Sequence, residues 1–331
     1  MRVLVLHSDV AEDAPPDEQD TLATADAVCS ALAARRHAPN AFAFSPDPAR
    51  VNGALRDTGA DVVFNLVESV FGQGDLAGVA AAMLARLRIP FTGASAAALA
   101  CAADKCFSKR LLRSAGLPTP AWSEPPEWTG LSDDAVYVVK SVDEDASIGL
   151  DDGAVVRGRE VHERAAACAR RYGGRWFAEA YCPGREFNAS LIETNCRPRI
   201  LPIAETRFEG WSPDRPRIVG YAAKWDDNSP DCTGTPREFG IEAASPGLAA
   251  RLRELALSAW HIMSLRGYAR VDMRLDAGGT PMILEINPNP CLEPRAGFAA
   301  AAARADINYP ELIERILRQA LHGVGEQARP V

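Results

Sequence analysis

Three residues with side-chain oxygens within residues 267–292, together with a neighbouring arginine, have types and spacing that could form a metal site. Two runs of alternating polar and apolar residues contain them, with Arg270 and Asp272 in the first and Glu285 and Asn287 in the second. In a hairpin of these runs, alternate residues share a face, so the four side chains lie together. Opposed carboxylates at about 5 Å repel each other unless a cation or proton lies between them. A hard divalent cation such as Mg²⁺, which prefers oxygen ligands, fits Asp272, Glu285 and Asn287.

A glycine pair between the two runs predicts how they are connected. Gly278-Gly279 suits a two-residue hairpin loop with positive φ, which pairs Asp272 with Glu285. The opposite face of the hairpin is then apolar and buried, and its residues are Val271, Met273, Leu284 and Ile286. The alternative is a solvated hairpin face whose charges bind nothing.

Two more candidates follow predicted strands elsewhere in the chain. Glu68 follows the strand at residues 61–66, and ligand sites of open α/β sheets lie at the carboxyl ends of strands. It could equally be a capping or solvent-facing glutamate. Lys140 ends the apolar strand at 136–140 and precedes a Ser- and Gly-containing loop, which could place an ammonium group beside phosphate. Lysines also end strands that bind nothing.

The order of strands and helices predicts an α/β fold that is α+β in parts. Further strands are expected at 2–6, 89–93, 197–203 and 217–224, and a hairpin at 175–192 turns at Pro183-Gly184. Helices are expected at 20–36, 76–87, 94–115, 160–171, 248–265 and 309–321. The polar, Pro-containing loop at 225–237 is typical of a segment that covers a substrate.

Composition excludes several classes of protein. The 331 residues carry a net charge of −8 with a pI near 5.3, which argues against nucleic-acid binding and against binding to anionic membranes. Neither a membrane-spanning apolar run nor a signal peptide is evident. The eight cysteines are scattered without a C-x-x-C pair, which favours reduced thiols in a cytoplasmic protein.

Six short motifs together resemble the ATP-grasp superfamily, and most of all the D-alanine–D-alanine ligases. They occur in the order Asp104-Lys105, Val139-Lys140, Glu179 to Glu186, Lys224, Arg270-Val271-Asp272 and Glu285-Ile286-Asn287. The likeness extends to Phe91-Thr92-Gly93 and to the helix that starts at Tyr309. It implies an ATP-grasp fold with an N-terminal Rossmann-like substrate domain (1–93), a central lid domain (94–177) and a C-terminal catalytic domain (178–331).

The resemblance also implies where ATP and metal bind. Two Mg²⁺ ions, with Mn²⁺ as a possible substitute, would be held by Asp272, Glu285 and Asn287. The nucleotide would contact lysines at the phosphates, glutamates at the adenine and ribose, and the strand segment between them: Lys105, Lys140, Glu179, Ala180, Tyr181, Cys182, Glu186 and Leu284.

Catalytic and substrate residues follow from the same resemblance, with several departures. Arg270 would stabilise the oxyanion with help from the backbone near Cys291, and Lys224 and Ser147 would also act in catalysis. Glu68 stands where the family has a histidine, Trp225 where it has a tyrosine, and Ala146 where it has a serine. Asp17 or Glu18 could replace an N-terminal glutamate.

The hydroxyl that would hold the second substrate's carboxylate falls near Arg295-Ala296, so Arg295 is a candidate for that carboxylate and Glu68 for a substrate ammonium.

These expectations combine into one leading function and two alternatives. The leading function is an ADP-forming carboxylate–amine ligase that joins small amino-acid-like substrates through an acyl phosphate. One alternative is a nucleotide-binding regulatory protein without catalysis, and the other is a ligase for a non-peptide acceptor. The family resemblance also suggests a homodimer.

Overall fold

Three β-sheets form the framework of the protein. The computed structural model describes residues 1–11, 13–144 and 146–322. In this part of the chain the sheets contain three, four and six strands.

The first sheet is parallel, with the order β2-β1-β3. Its strands are β1 (Arg2–His7), β2 (Ala38–Ala43) and β3 (Val62–Leu66), and its helices are α1 (Pro16–Ala34), α2 (Pro48–Thr58) and α3 (Gly78–Leu87). The strands expected at 2–6 and 61–66 are confirmed. At 89–93 the structure has only an isolated bridge between Val63 and Phe91 instead of the expected strand. Strand β1 is buried on both faces, which explains its unbroken apolar sequence.

Two helices replace the single helix expected at 94–115. They are α4 (Ala96–Ala103) and α5 (Lys105–Ser114). Asp104 between them has extended backbone angles, and its carboxylate accepts a 2.7 Å hydrogen bond from the Phe107 amide. Such side-chain acceptors define helix N-caps, so the chain starts a new helix at Lys105.

The second sheet is antiparallel, with the order β4-β7-β5-β6. Its strands are β4 (Trp122–Ser123), β5 (Val136–Ser141), β6 (Val155–Arg157) and β7 (Trp176–Ala180), and α6 (Val161–Tyr172) packs on it. Strand β7 continues to Ala180, three residues past the domain boundary expected at 177. The three-domain division stays a prediction.

The third sheet has the order β11-β10-β8-β12-β13, with β9 paired to β8. Its strands are β8 (Glu186–Thr194), β9 (Arg197–Ile200), β10 (Ala204–Thr206), β11 (Arg237–Phe239), β12 (Tyr268–Leu275) and β13 (Pro281–Asn287). The expected hairpin at 175–192 is wrong, because β7 and β8 belong to different sheets. Pro183-Gly184 connects these sheets, and the Gly184 amide donates to the Leu275 carbonyl at 3.0 Å.

The segment expected as a strand at 217–224 is also different. It contains the short helix α7 (Tyr221–Trp225), followed by α8 (Pro230–Thr233). Gly220 passes so close to residue 150 that an added Cβ would lie 2.7 Å from the Leu150 carbonyl oxygen. This contact joins the segment to the loop that follows β5.

The remaining helices cover the third sheet and join it to the first. They are α9 (Ile241–Ala244), α10 (Pro246–Ile262), α11 (Gly297–Arg304) and α12 (Tyr309–His322). One apolar core contains residues of β1, α1, α11 and α12, and a second contains residues of β1, α3, α10 and β12. No helix in the described ranges is long and apolar enough to cross a membrane.

The β12–β13 hairpin has the predicted pairs but not the predicted turn. Arg270 pairs with Asn287 and Asp272 with Glu285. The loop is 276–280 rather than Gly278-Gly279 alone, because the Asp276 carboxylate accepts from the backbone amides of residues 278 and 280 at 2.9 and 2.8 Å. The two-residue turn is therefore wrong.

A β-bulge compensates for the longer loop. Met273 pairs with Ile283, one residue out of step with the Asp272–Glu285 pair, and Leu284 is the extra residue between them. A slip of one residue without a bulge would turn Glu285 to the opposite face. The bulge also leaves Leu284 half-buried at a cleft, so the expectation that Leu284 lies in the buried face is wrong.

We expect Phe298→Ala to lower the free energy of unfolding by about 3–5 kcal/mol, because it leaves a cavity in a packed core. Phe298 is fully buried, and its ring centroid lies 5.6 Å from that of Tyr268. Urea denaturation checks this. Phe107→Ala is the control, because Phe107 is 41% exposed and should lose less than about 1 kcal/mol. Equal losses would contradict this view of the core.

Candidate active site

A cleft of about 970 Å³ lies among the three sheets. Its walls include residues from β5, β7, β8, β12 and β13, from α1, α5 and α7, and from the chain directly after β3. The structure brings every residue of the predicted site to this cleft: Glu68, Lys105, Lys140, Ser147, Glu179, Ala180, Tyr181, Cys182, Glu186, Lys224, Trp225, Arg270, Asp272, Leu284, Glu285, Asn287, Cys291 and Arg295. Their individual roles stay predictions.

Asp272 is the most strongly bound carboxylate of the hairpin face. Its two oxygens accept from Nε and Nη2 of Arg270 at 2.7 and 2.8 Å, and Asn188 Nδ2 donates to it at 2.7 Å. Burial alone would raise the pKa of Asp272, but the Arg270 charge and these hydrogen bonds outweigh burial and lower it. Asp272 is therefore an anion that fixes Arg270, and three of the five N–H donors of that guanidinium remain.

The hairpin face offers only oxygen ligands to a cation. Asp272 and Glu285 are opposed, and Asn287 lies one pair further along, where its Oδ1 accepts from the Asn289 amide at 3.1 Å. In the ranges that the structure describes, no three Asp, Glu, His or Cys side chains are grouped as a metal site. A metal here would therefore need the Asn287 amide and phosphate oxygens of a ligand in addition to the two carboxylates. That donor set fits Mg²⁺ or Mn²⁺.

Glu179 lies between two lysines at the end of β7. Its Oε2 is 2.6 Å from Lys109 Nζ, and its Oε1 contacts Lys140 Nζ. Burial opposes ionisation of this carboxyl, but the two ammonium groups outweigh burial and lower its pKa to about 2. The same carboxylate, with Glu285, keeps the pKa of Lys140 above its usual value despite burial. Both oxygens of Glu179 thus contact protein cations.

Lys109 is a site residue that the motifs miss. It is fully buried and also donates to Thr119 Oγ1 at 2.9 Å. Lys105 lies four residues earlier on α5, and its Nζ donates to the Glu144 carbonyl at 2.8 Å. Residues four apart share a helix face, so the spacing of the two lysines was the available signal.

Arg274 is a second missed residue, at the far end of the hairpin face. It is 3% exposed, donates from Nε to the Gly184 carbonyl at 3.0 Å, and lies 3.4 Å from Glu186 Oε2. Its guanidinium carbon is 5.3 Å from the ring centroid of Tyr181. The period of two along β12 places Arg274 on the face of Arg270 and Asp272. It therefore supports Glu186. Burial raises the pKa of Glu186 above its usual value, and the charge of Arg274 opposes that rise.

The loop at 146–150 and the segment at 217–225 cover the cleft together. The Trp225 indole N–H donates to the Ala146 carbonyl at 2.9 Å, and the Ser147 hydroxyl donates to the Val219 carbonyl at 3.2 Å. Tyr221 donates its hydroxyl to Asp17 on α1 at 2.6 Å, and burial with this bond raises the pKa of Tyr221 to about 12. The cover is thus attached to the first sheet's helix as well as to the second sheet.

The other end of the cleft is formed by α1 and the chain after β13. Cys291 Sγ donates to Asp20 at 3.0 Å, and burial, then the charges of Glu68 and Asp20, raise the pKa of Cys291. Arg295 is 80% exposed and contacts Glu293 and Asp227 at 3.3 and 3.6 Å. Arg295 therefore lines the cleft mouth with its charge already paired.

Comparison with known proteins assigns the chain to a family. The model described as D-ala D-ala ligase C-terminus matches residues 134–318, which is more than half of the chain. The chain belongs to the D-ala D-ala ligase family. A D-alanine–D-alanine ligase of Desulforudis audaxviator is 31% identical over 92% of this chain and 94% of its own length. An uncharacterized protein, y4sG of Sinorhizobium fredii, is 32% identical over 82% of this chain and 76% of its own length.

Solved structures of D-ala D-ala ligases share the fold. A D-alanine–D-alanine ligase from Bacillus anthracis complexed with ATP has a TM-score of 0.75 at 20% identity, covering 99% of this chain and 100% of that chain. The corresponding ligase from Coxiella burnetii has a TM-score of 0.72 at 18% identity, with 99% and 97% covered. The predicted ATP-grasp fold is confirmed, and so is the prediction of an ATP-dependent, D-alanine–D-alanine ligase-like enzyme. The alternative of a nucleotide-binding protein without catalysis is not favoured.

We expect Glu179→Gln to lower the free energy of unfolding by about 3–5 kcal/mol at pH 7, because two buried ammonium groups lose their carboxylate. Urea denaturation checks this. Glu254→Gln is the control, since Glu254 makes only an exposed helical ion pair with Arg251 and should lose less than about 1 kcal/mol. A similar small loss in both variants would contradict the ion-pair assignment.

The pH dependence of the same two proteins gives a second measurement. The folded-state pKa of Glu179, about 2, lies below the ordinary value of 4.5, so its stabilisation is present above pH 4.5 and is lost as pH falls towards 2. The difference in unfolding free energy between wild type and Glu179→Gln should therefore shrink across this window. A constant difference would contradict the lowered pKa.

Proposed function

We propose that this family member joins the carboxylate of one amino-acid-like substrate to the amine of another, with Mg²⁺-ATP consumed and ADP and phosphate released. One observation carries the proposal: the Arg270–Asp272–Glu285–Asn287 face and the Lys105–Lys140 pair line the same cleft. Phosphoryl transfer depends mainly on positioning and on neutralisation of charge by lysine, arginine and metal ions, and both kinds of group converge here.

The nucleotide is proposed to lie between the second and third sheets. Lys105 and Lys140 then face the phosphates, and residues 180–182 and Leu284 contact the base. Glu186 accepts from ribose hydroxyls. Support comes from burial and from fixed orientation: Glu179 holds Lys140, and Arg274 holds Glu186.

In the first proposed step, an oxygen of the donor carboxylate attacks the γ-phosphorus of ATP. The bond between that phosphorus and the β–γ bridging oxygen breaks, so ADP leaves and an acyl phosphate forms. Bound Mg²⁺ would neutralise phosphate charge and orient the γ-phosphate beside Asp272, Glu285 and Asn287. Lys224 contributes positive charge to the same region, since it acts on the pKa values of both Asp272 and Glu186.

In the second step, the amine attacks the carbonyl carbon of the acyl phosphate. The C–O bond to phosphate breaks after a tetrahedral intermediate, and the amine nitrogen gives up a proton to the departing phosphate. Arg270 is proposed to donate to the oxyanion with the N–H groups that Asp272 does not use. The cover formed by the 146–150 loop and the 217–225 segment is proposed to exclude water that would hydrolyse the acyl phosphate.

The residues around the proposed binding site of the amine substrate suggest a substrate pair other than two D-alanines. Glu68, Trp225 and Ala296 differ from the residues that the family resemblance implies at these positions. A ligase for a non-peptide acceptor is not favoured. The homodimer is proposed from the family resemblance, and the cytoplasmic location from the scattered cysteines.

Phosphate release with Mg²⁺-ATP and a panel of D- and L-amino acids, singly and in pairs, tests the function. We expect turnover that depends on amino acids, with a product whose mass equals the two substrates minus water. Tight ATP binding without any such turnover would overturn the ligase and favour a regulatory nucleotide-binding protein. Turnover that is fastest with D-alanine alone would restore the narrower specificity.

We expect Glu285→Gln to lower kcat at least about 100-fold, because one charge of the metal face is lost. Its free energy of unfolding should change by less than about 1 kcal/mol, and its ATP affinity should lose much of its dependence on Mg²⁺. Steady-state kinetics, and ATP titrations with and without Mg²⁺, measure these effects. Glu163→Gln on α6, an exposed position, is the control. Near-normal kcat in Glu285→Gln would remove Glu285 from the metal site.

A further inference from the structure

Glu68 lies on a short turn, residues 67–69, that directly follows β3 and lines the cleft. Val67 is fully buried in the core that contains residues of α3 and α10, whereas Glu68 is exposed. The first residue of the turn is thus anchored in the protein, and the next one faces the cleft. What the Glu68 carboxylate can bind depends on how firmly the backbone of this turn is held.

Ser8 binds the turn from the neighbouring strand. It follows β1, and because His7 of β1 pairs with Leu66 of β3, the chain after β1 lies beside the turn. The Ser8 hydroxyl oxygen accepts from the backbone amides of Glu68 and Ser69, each at 3.1 Å. These two bonds use both lone pairs of the hydroxyl. Ser8 is 2% exposed, so water competes little with it for the two amides.

Two asparagines bind the first residue of the turn. Asn65 Oδ1 accepts from the Val67 amide at 3.3 Å, and Asn289 Nδ2 donates to the Val67 carbonyl at 3.3 Å. Asn289 is itself fixed, because its Oδ1 accepts from the Tyr268 hydroxyl and its backbone amide donates to Asn287 Oδ1 at 3.1 Å. The turn is therefore held from three sides: by β3, by the end of β1 and by the chain after β13.

This bonding fixes where the Glu68 carboxylate can lie. A turn at the surface could satisfy the same backbone groups with water, and it would then be free to move. Here protein side chains take that role, and through Asn289 the turn is joined to Asn287 of the metal face. A ligand that binds a carboxylate fixed in this way loses less free energy to ordering of the protein. Glu68 is thus prepared to bind a substrate group at a set place relative to the metal face.

We propose that Ser8 is a positioning residue, which holds the backbone of Glu68 so that this carboxylate binds the ammonium group of an amino-acid substrate. The inference rests on the proposed ligase function. Ser8 lies behind the turn and does not contact the substrate, so it acts through Glu68. Loss of the hydroxyl leaves two backbone amides without their acceptor and lets the turn shift, and a charge-assisted bond weakens when its geometry is lost.

The kinetics of Ser8→Ala test the proposal. Phosphate release is measured with the full-length protein, Mg²⁺-ATP and D-alanine, and then with the fastest amino acid of the panel. We expect kcat/KM for the amino acid to fall about 10-fold or more, mainly through a higher KM. The KM for ATP should change less than about twofold, because Ser8 does not hold the phosphate-facing lysines. Ser8→Cys, which keeps the side-chain volume but accepts hydrogen bonds weakly, should change KM in the same direction.

A double-mutant cycle separates positioning of Glu68 from a general structural effect. Glu68→Gln removes the charge and should itself lower kcat/KM for the amino acid. If Ser8 acts through Glu68, the addition of Ser8→Ala to Glu68→Gln should lower kcat/KM by less than about twofold more. Two independent effects would instead multiply.

Ser95→Ala is the matched control. The Ser95 side chain also accepts from a backbone amide, that of Ala98 at 3.2 Å, but it does so at the start of α4 and outside the cleft lining. Its loss should lower stability to urea, as the loss of Ser8 does, and leave the KM for the amino acid at the wild-type value. Hydrogen exchange of the Glu68 and Ser69 amides should be faster in Ser8→Ala and unchanged in Ser95→Ala.

The outcomes distinguish the two proposals. Turnover in wild type with an unchanged KM for the amino acid in Ser8→Ala overturns the role of Ser8 and leaves the ligase intact. Multiplicative losses in the cycle, or an equal rise in the KM values for ATP and the amino acid, also overturn that role. Absence of amino-acid-dependent turnover in wild type overturns both proposals.

Discussion

A buried carboxylate is stable in this cleft only where a cation compensates for its lost hydration. Desolvation of one ion costs several kcal/mol, and the protein meets that cost with fixed pairs. Arg270 holds Asp272, the two lysines of α5 and β5 hold Glu179, and Arg274 holds Glu186. The first pair lies along β12, the second joins β7 to β5 and α5, and the third joins β12 to β8, so each wall of the cleft holds its own charged side chains in place. Preorganised charge of this kind lowers the reorganisation needed during phosphoryl transfer.

Strand periodicity explains why much of the site could be predicted. Alternation puts Arg270 and Asp272 on one face of β12 and Glu285 and Asn287 on one face of β13, and the register of the two strands brings these faces together. The prediction of a two-residue loop was wrong because the Asp276 side chain accepts hydrogen bonds from two backbone amides and lengthens the turn. The bulge at Leu284 then restores the pairing of Asp272 with Glu285. No local sequence pattern predicts a bulge that compensates for a longer turn.

Other errors have equally specific causes. Asp104 ends one helix and caps the next, but it lies within an Ala-rich run whose composition predicts a single continuous helix. Strand β2 at the edge of its sheet is half-exposed, so it lacks the apolar run that reveals β1. The spacing of Lys105 and Lys109 shows that they share a helix face, but not that Lys109 contacts Glu179, which is distant in sequence. Tertiary partners of this kind leave no trace in a single sequence.

The cover of the cleft has a consequence for how the two ends communicate. Trp225 binds the loop after β5, and Tyr221 in the same short helix binds Asp17 on α1. A movement of this short helix therefore makes or breaks contacts both with the loop after β5 and with α1. A ligand at either end of the cleft that favours these contacts also stabilises them at the other end. By thermodynamic linkage, ATP and the acceptor would then raise each other's affinity by the same factor, without touching.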